Sequence, residues 1–172
     1  PFRPGEARRL LAEAGYPDGQ GFPVIEVLAY DAVASRNEFL RAQWRRALGV
    51  EVRVTTAGWA DFLEQLGGSY HLVNLGWLAD YPDPDSFLRV SRERVWSGWQ
   101  HEEFDRLVQE ARALTDPAER MLRYRRAEVI LAREAPVLPL IYERDHLLVK
   151  PWVRAYPMSA IKPAFWKDAV LA

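Results

Sequence analysis

Three carboxylates fall within six residues, in the run Asp80-Tyr81-Pro82-Asp83-Pro84-Asp85. Such a cluster can bind calcium or carry out acid/base work. Pro82 and Pro84 count against calcium, because they remove the flexible turn and the backbone placement of an EF-hand loop. Asp83-Pro84 and Asp85-Ser86 also read as ordinary turn and cap residues. Asp80 differs. It lies three residues past Trp77, just beyond the end of an expected parallel strand, where open α/β sheets place their ligands. Trp59 and Trp77 flank the same region, and an aromatic wall beside a carboxylate describes a pocket for a cationic or polar organic ligand.

Other chemistries find less support. His71, His101 and His146 stand far apart, and the run from His101 to Asp105 lacks the second histidine of a metalloprotease helix, so no metal site is expected. No glycine-rich phosphate loop follows a strand and no Gly-x-Ser-x-Gly elbow occurs; Gly67-Gly68-Ser69 reads as a turn. The absence of cysteine excludes disulfides, thiol nucleophiles and thiolate metal sites. The 172 residues hold 23 Lys plus Arg against 24 Asp plus Glu, and the net charge of -1 offers no field for nucleic acid or an anionic membrane. No apolar run approaches the roughly 18 residues of a membrane-spanning helix. The start, Pro1-Phe2-Arg3-Pro4-Gly5, is neither a signal peptide nor an initiator methionine and reads as a piece of something longer. Of the seven tryptophans, Trp44 is expected in the core, while Trp96 and Trp99 fit an exposed binding role and loop anchoring equally.

Periodicity predicts the elements that must position these residues. Ala7, Leu10, Leu11 and Ala14 share a helical face that stops at Gly15. Val24 to Tyr30 is a nearly continuous apolar run, suited to a strand buried on both faces. From Ser35, an expected N-cap, Leu40, Trp44, Ala47 and Leu48 form a stripe that Gly49 closes. Val50, Val52 and Val54 alternate with polar residues and predict a strand; Trp59, Phe62, Leu63 and Leu66 predict a helix, and Tyr70 to Trp77 another strand. Strands alternating with helices imply an α/β fold with a mainly parallel sheet and flanking helices. Leu78 to Trp99 is expected to be loop. Helices follow over Glu102 to Leu114 and from Asp116-Pro117-Ala118-Glu119, which supplies an N-cap, a proline at N1 and a Glu at N3, to about Arg133. Val137 to Tyr142 and His146 to Val149 read as strands around a Glu143-Arg144-Asp145 turn, and from Pro151 prolines and aromatics predict an irregular tail that needs a partner surface.

Five segments carry a family resemblance: Leu10-Leu11-Ala12-Glu13-Ala14-Gly15-Tyr16-Pro17; Trp44 to Leu48-Gly49-Val50; Gly76-Trp77-Leu78-Ala79-Asp80-Tyr81-Pro82-Asp83-Pro84; Phe104-Asp105-Arg106-Leu107; and Glu134-Ala135-Pro136 to Pro139-Leu140. In this order they resemble the C-terminal lobe of family 5 extracellular solute-binding proteins, the binding components of ABC importers. The resemblance implies one lobe of a two-lobe type II periplasmic-binding-protein fold. Residues 1–155 are then the ligand-binding lobe, and residues 156–172 a tail crossing back towards a missing N-terminal lobe. It implies non-covalent capture of a peptide in the periplasm or outside the cell, by a full-length protein that can carry a lipid anchor. Delivery is to a membrane permease, with no enzymatic step and no cofactor.

In peptide-binding members of the family, an aspartate at the Asp80 position pairs with the ligand's α-amino group. Backbone near Gly76, Trp77 and Leu78 pairs with the extended peptide as an added strand, and the Trp59 position lines a side-chain pocket. Arg36, after the first strand, is placed either to pair with a ligand carboxylate or to be a solvated helix-start residue. Asn74 departs from oligopeptide binders that carry a charged residue there, which leaves ligand length and charge open. Trp59 and Trp77 can stack on sugar rings, so an oligosaccharide is the alternative ligand. Two readings from other classes remain: a hydrolase using Asp80 with Asp83 or Asp85, and an interaction module docking through its aromatic tail.

Overall fold

The apolar run of the first strand, β1 (Ile25–Tyr30), is the centre of a three-stranded parallel sheet ordered β2-β1-β3. In the computed structural model, residues 2–93, 98–144, 146–155 and 169–171 are described. They fall into two compact units, Pro1–Gly76 and Trp77–Ala172. The expected Trp96 and most of the expected tail, including Phe165 and Trp166, lie outside the described residues, as does Asp145.

In the first unit, α1 (Pro4–Glu13) precedes β1; α2 (Ala34–Leu48), β2 (Val52–Ala57), α3 (Trp59–Gln65) and β3 (Leu72–Asn74) follow. Ile25 lies opposite Val52, and Val27 lies opposite both Val54 and Leu72. Val27, Leu28 and Ala29 are all buried, which a strand achieves only with both faces covered. Val27, Val50 and Val52 form a core against which Leu11, Trp44 and Leu48 pack, so Trp44 is packing, as its helical stripe implied. The expected α/β architecture with a parallel sheet and flanking helices is observed.

Two local expectations change here. Ser35 is not the N-cap of α2: the cap position is two residues earlier, at Val33, after a 3₁₀ turn over Asp31–Val33, and the helix begins at Ala34. The carboxylate of Asp31 instead accepts the N–H of Ala32 (2.8 Å). The third strand is three residues long rather than eight, because β1 is its neighbour and β1 turns away after Tyr30. His71 sits at its start with Nδ1 accepting the N–H of Glu26 (2.9 Å).

The second unit contains α4 (Asp85–Glu93), α5 (Glu102–Ala113) and α6 (Pro117–Glu134). Leu88, Phe104, Leu107, Val108, Ala111, Tyr124 and Ala127 are its core, with Trp99 packed against it. Trp99 therefore anchors its loop, its ring 5.1 Å from Phe104 in an edge contact. His101 caps α5 by accepting the N–H of Phe104 at 3.2 Å, and Asp116 caps α6 by accepting that of Glu119 at 2.8 Å, with Pro117 in the first turn. The Glu119 carboxylate pairs with Arg123 instead of reaching back to the cap.

Residues 85–93 are helix where only loop was expected: the prolines end at Pro84, and Asp83 and Asp85 can start a helix at once. The expected strands Val137–Tyr142 and His146–Val149 do not form. Their described residues run without a ladder and leave Ile141, Tyr142 and Leu148 exposed, since β composition yields a strand only beside a partner. A short antiparallel pair, β4 (Val153–Ala155) with β5 (Val170–Leu171), completes the unit.

Gly49 ends α2 at φ 70°, and a Cβ there would meet the carbonyl oxygen of Asp18 at 2.1 Å. The turn at Pro17–Gly19 thus packs backbone to backbone on the end of α2. Gly49→Ala is expected to destabilise the protein by about 1–3 kcal/mol from conformational strain alone, and further through the clash. Gly5→Ala, in α1 with nothing within 4 Å of the added carbon, should be neutral or stabilising. Chemical denaturation of the two variants measures the difference, and equal midpoints would refute the packing.

Candidate functional site

The residues expected to bind ligand divide between the units: Arg36, Trp59, Asn74 and Gly76 belong to the first, and Trp77, Leu78 and Asp80 to the second. In the first unit they gather where β1 and β3 end. Trp59 opens α3 and stacks on Phe62, rings 5.6 Å apart, while the edge of Tyr30 meets it at 5.5 Å. Phe62 is fully buried and Trp59 is 53% exposed, so the indole is anchored on one side and open on the other.

Asn74, the last residue of β3, donates from Nδ2 to Oδ1 of Asn37 (2.6 Å), and Asn37 donates in turn to the carbonyl of Val33 (3.1 Å). Asn37 is only 3% exposed; this chain satisfies a buried amide and ties the start of α2 to the end of β3. Arg36 lies half-buried in the same first turn. Gly76 is exposed, and a Cβ on it would meet nothing within 4 Å, leaving its backbone open to approach by another chain. Two shallow clefts of about 420 and 400 Å³ lie elsewhere on this unit, and none of the expected residues lines them.

In the second unit Trp77 is half-buried, Leu78 is 72% exposed and Asp80 is exposed. The carboxylates of the acidic run have opposite fates. Asp85 is 4% exposed and accepts the Tyr81 O–H, with Arg89 Nε at 3.4 Å and Arg112 Nε at 3.6 Å. Asp83 pairs with Arg120 at 2.5 Å and accepts the N–H of Asp85 at 3.0 Å. Asp83 thus fills the cap role read from the sequence, strengthened by an ion pair, whereas the Asp85 side chain caps nothing and is instead a buried acceptor for Tyr81 beside two arginines. No ion pair or side-chain hydrogen bond engages the Asp80 carboxylate among the described residues, while the Asp80 N–H donates to Ser86 Oγ (3.0 Å).

This arrangement offers one open carboxylate on a fixed turn, which suits recognition of a cation more than acid/base chemistry by a carboxylate pair. Among the described residues no group of three His, Asp or Glu side chains could hold a metal ion, and no helix is long and apolar enough to cross a membrane. Asn37, Arg112, Arg120 and Tyr124 support these residues without any sequence expectation naming them, and Ser86, expected only as a turn or cap residue, holds the Asp80 backbone. The i,i+4 spacing of Asp85 and Arg89 is a readable signal; the pairing of Asp85 with Arg112, and of Asp83 with Arg120, exists only through tertiary packing.

A family model described as bacterial extracellular solute-binding proteins, family 5 Middle, matches residues 1–98. The periplasmic oligopeptide-binding protein OppA of Escherichia coli K12 is 32% identical over 158 residues, covering 88% of this chain and 29% of its own length. The probable deoxycholate-binding periplasmic protein YgiS of the same organism is 32% identical over 159 residues with the same coverage. The solved structure of the E. coli murein tripeptide binding protein MppA superposes with a TM-score of 0.87 at 23% identity, over 98% of this chain and 34% of that one; at that identity the likeness is one of fold. The chain spans 29% of the length of these two curated relatives.

The hydrogen bond to Asp85, followed by burial, raises the Tyr81 phenol above its ordinary value of 10.0, with Arg89 acting in the opposite sense. A raised folded pKa means that the contribution to stability is complete below the unfolded value and is lost as pH rises through the folded one. Ultraviolet difference titration of wild type against Tyr81→Phe is expected to place this tyrosinate above pH 10.0, and Asp85→Asn to lower it. A signal unchanged by Asp85→Asn rules out the hydrogen bond as the cause.

Proposed function

The chain belongs to the family 5 bacterial extracellular solute-binding proteins, and from that premise we propose that it is the C-terminal lobe of a protein that captures peptides for an ABC importer. The rest of a longer chain supplies the opposite lobe. The protein works in the periplasm or outside the cell, with or without a lipid anchor, and hands its ligand to a membrane permease without chemical change. The names of the relatives, OppA and MppA among them, support peptide as the ligand class.

One observation carries this reading: the Asp80 carboxylate is exposed and unpaired on a turn whose other two carboxylates are held by arginines. An acceptor-only group of this kind is matched to a peptide's α-ammonium. Closure of the second lobe excludes water, and the charge pair then gains over one left in solvent. Trp59 offers an apolar face to a ligand side chain, and Gly76 to Leu78 offer backbone for strand-like pairing. Arg36, at the start of α2, supplies a cation for a ligand carboxylate, and Asn74, at the end of β3, is an uncharged amide, which leaves the ligand's length and charge open. The open face of Trp59, with a relative named for deoxycholate binding at equal identity, favours a second reading, a ring-shaped solute such as a steroid or a sugar. Mass spectrometry of ligand co-purified with the full-length protein separates the two.

In the full-length protein, Asp80→Ala is expected to weaken peptide binding by about 2–5 kcal/mol, the range for truncating one partner of a desolvated charge pair. Calorimetry reads the loss, and unchanged affinity removes Asp80 from the site. Trp59→Ala should also weaken binding, while its effect on the unfolding midpoint stays well short of the ~3–5 kcal/mol of a core aromatic. A full core-sized loss of stability assigns Trp59 to packing instead.

A further inference from the structure

We propose that Ser86 is the positioning residue for the Asp80 carboxylate: its hydroxyl, held by the ion-paired turn beneath it, fixes where Asp80 meets a ligand's ammonium group. This rests on the peptide-binding reading given above. Ser86 is fully buried, and its Oγ accepts the Asp80 N–H at 3.0 Å across six residues of chain. Backbone hydrogen bonds hold the intervening turn and the helix start that follows it. The N–H of Asp83 donates to the carbonyl of Tyr81 (2.8 Å), that of Ser86 to the carbonyl of Asp83 (3.1 Å), and that of Leu88 to the carbonyl of Pro84 (3.1 Å). Asp83 is tied to Arg120 on α6, Asp85 to Arg112 on α5, and Leu88 enters the core of the same unit.

The Asp80 side chain has two rotatable bonds, so the reach of its carboxylate follows from the position of its own backbone. The hydrogen bond from Ser86 holds that backbone. A loop otherwise free to move by an ångström would meet the ammonium group at variable distance, and charge recognition depends steeply on such placement. A purely structural serine would affect every ligand alike. A positioning serine affects the ligands that carry the ammonium group and spares those that lack it.

The test offers the full-length protein a randomised tripeptide pool, half of it N-acetylated, and reads by mass spectrometry the ratio of free-amine to acetylated peptides retained. Wild type is expected to enrich free amines, and Asp80→Ala to lose the enrichment. Ser86→Ala, with thermal unfolding as a check on folding, should lower the ratio about threefold to tenfold, the worth of one hydrogen bond, while retention of acetylated peptides holds. Arg120→Gln, which loosens the Asp83 end of the turn, should lower it by a smaller factor and decides the matter where Ser86→Ala does not fold. A folded Ser86→Ala with the wild-type ratio, beside an Asp80→Ala that has lost it, overturns the role of Ser86 alone. A wild type that retains no peptide, or shows no preference for free amines, overturns the peptide reading and this inference with it.

Discussion

A carboxylate taken out of water must be met by positive charge and hydrogen-bond donors, and the second unit is organised around that demand at Asp85. Left alone at 4% exposure, the charge would cost several kcal/mol. Tyr81, Arg89 and Arg112 converge on it from the preceding turn, from its own helix and from α5. Each partner constrains a different element. Tyr81 folds the proline-flanked turn back over the helix start, Arg89 fixes the first turn of α4, and Arg112 brings α5 alongside. Arg120 repeats the arrangement one step earlier, reaching from α6 to Asp83. It also lies over the Tyr124 ring, its Cζ 5.8 Å from the centroid, with burial raising the Tyr124 phenol above its ordinary value.

The first unit obeys a different constraint, the length of β1. A parallel strand at the centre of a sheet dictates where its neighbours can find backbone partners. When β1 gives way to the Asp31–Val33 turn, β3 loses its partner after Asn74, and the chain beyond runs without a ladder. The polar side chains at this point have to find one another. Asn74 finds Asn37, and Asn37 finds the carbonyl of Val33, so the end of the sheet and the start of α2 become one hydrogen-bonded group. The aromatic cluster of Tyr30, Trp59 and Phe62 closes the same end with apolar contact.

Which parts of this were legible in the sequence follows from range. The stripe through Leu40, Trp44 and Leu48, the alternation of Val50, Val52 and Val54 and the Asp116-Pro117 start are local signals, and the helices and strands they predict are present. Gly49 as the left-handed end of α2 is equally local. Ser35 misled because a 3₁₀ turn displaced the helix start. Residues 137–149 misled because their apolar, β-branched composition states a capacity to pair without naming the partner. Asp83 was readable as a cap residue; that the Asp85 side chain would be a buried acceptor instead, and that Arg120 and Arg112 would meet the two, was not, because no short-range pattern links positions that far apart in sequence.

Asp80 and Asp85 are two carboxylates five residues apart with opposite surroundings. Burial keeps Asp85 from any ligand in solvent, and its charge is met inside the fold by Tyr81, Arg89 and Arg112. Asp80 sits above the same turn, where its N–H is held by Ser86 and its carboxylate faces solvent. If the turn were flexible, an exposed aspartate there would be an ordinary surface charge, worth 0 to about 1 kcal/mol to any ammonium that met it. If the turn were rigid but Asp80 were paired like its neighbours, nothing would remain to recognise. Rigidity from the buried pairs together with one charge left out is the combination that recognition needs, and the prolines at 82 and 84 contribute by restricting the backbone between the two carboxylates.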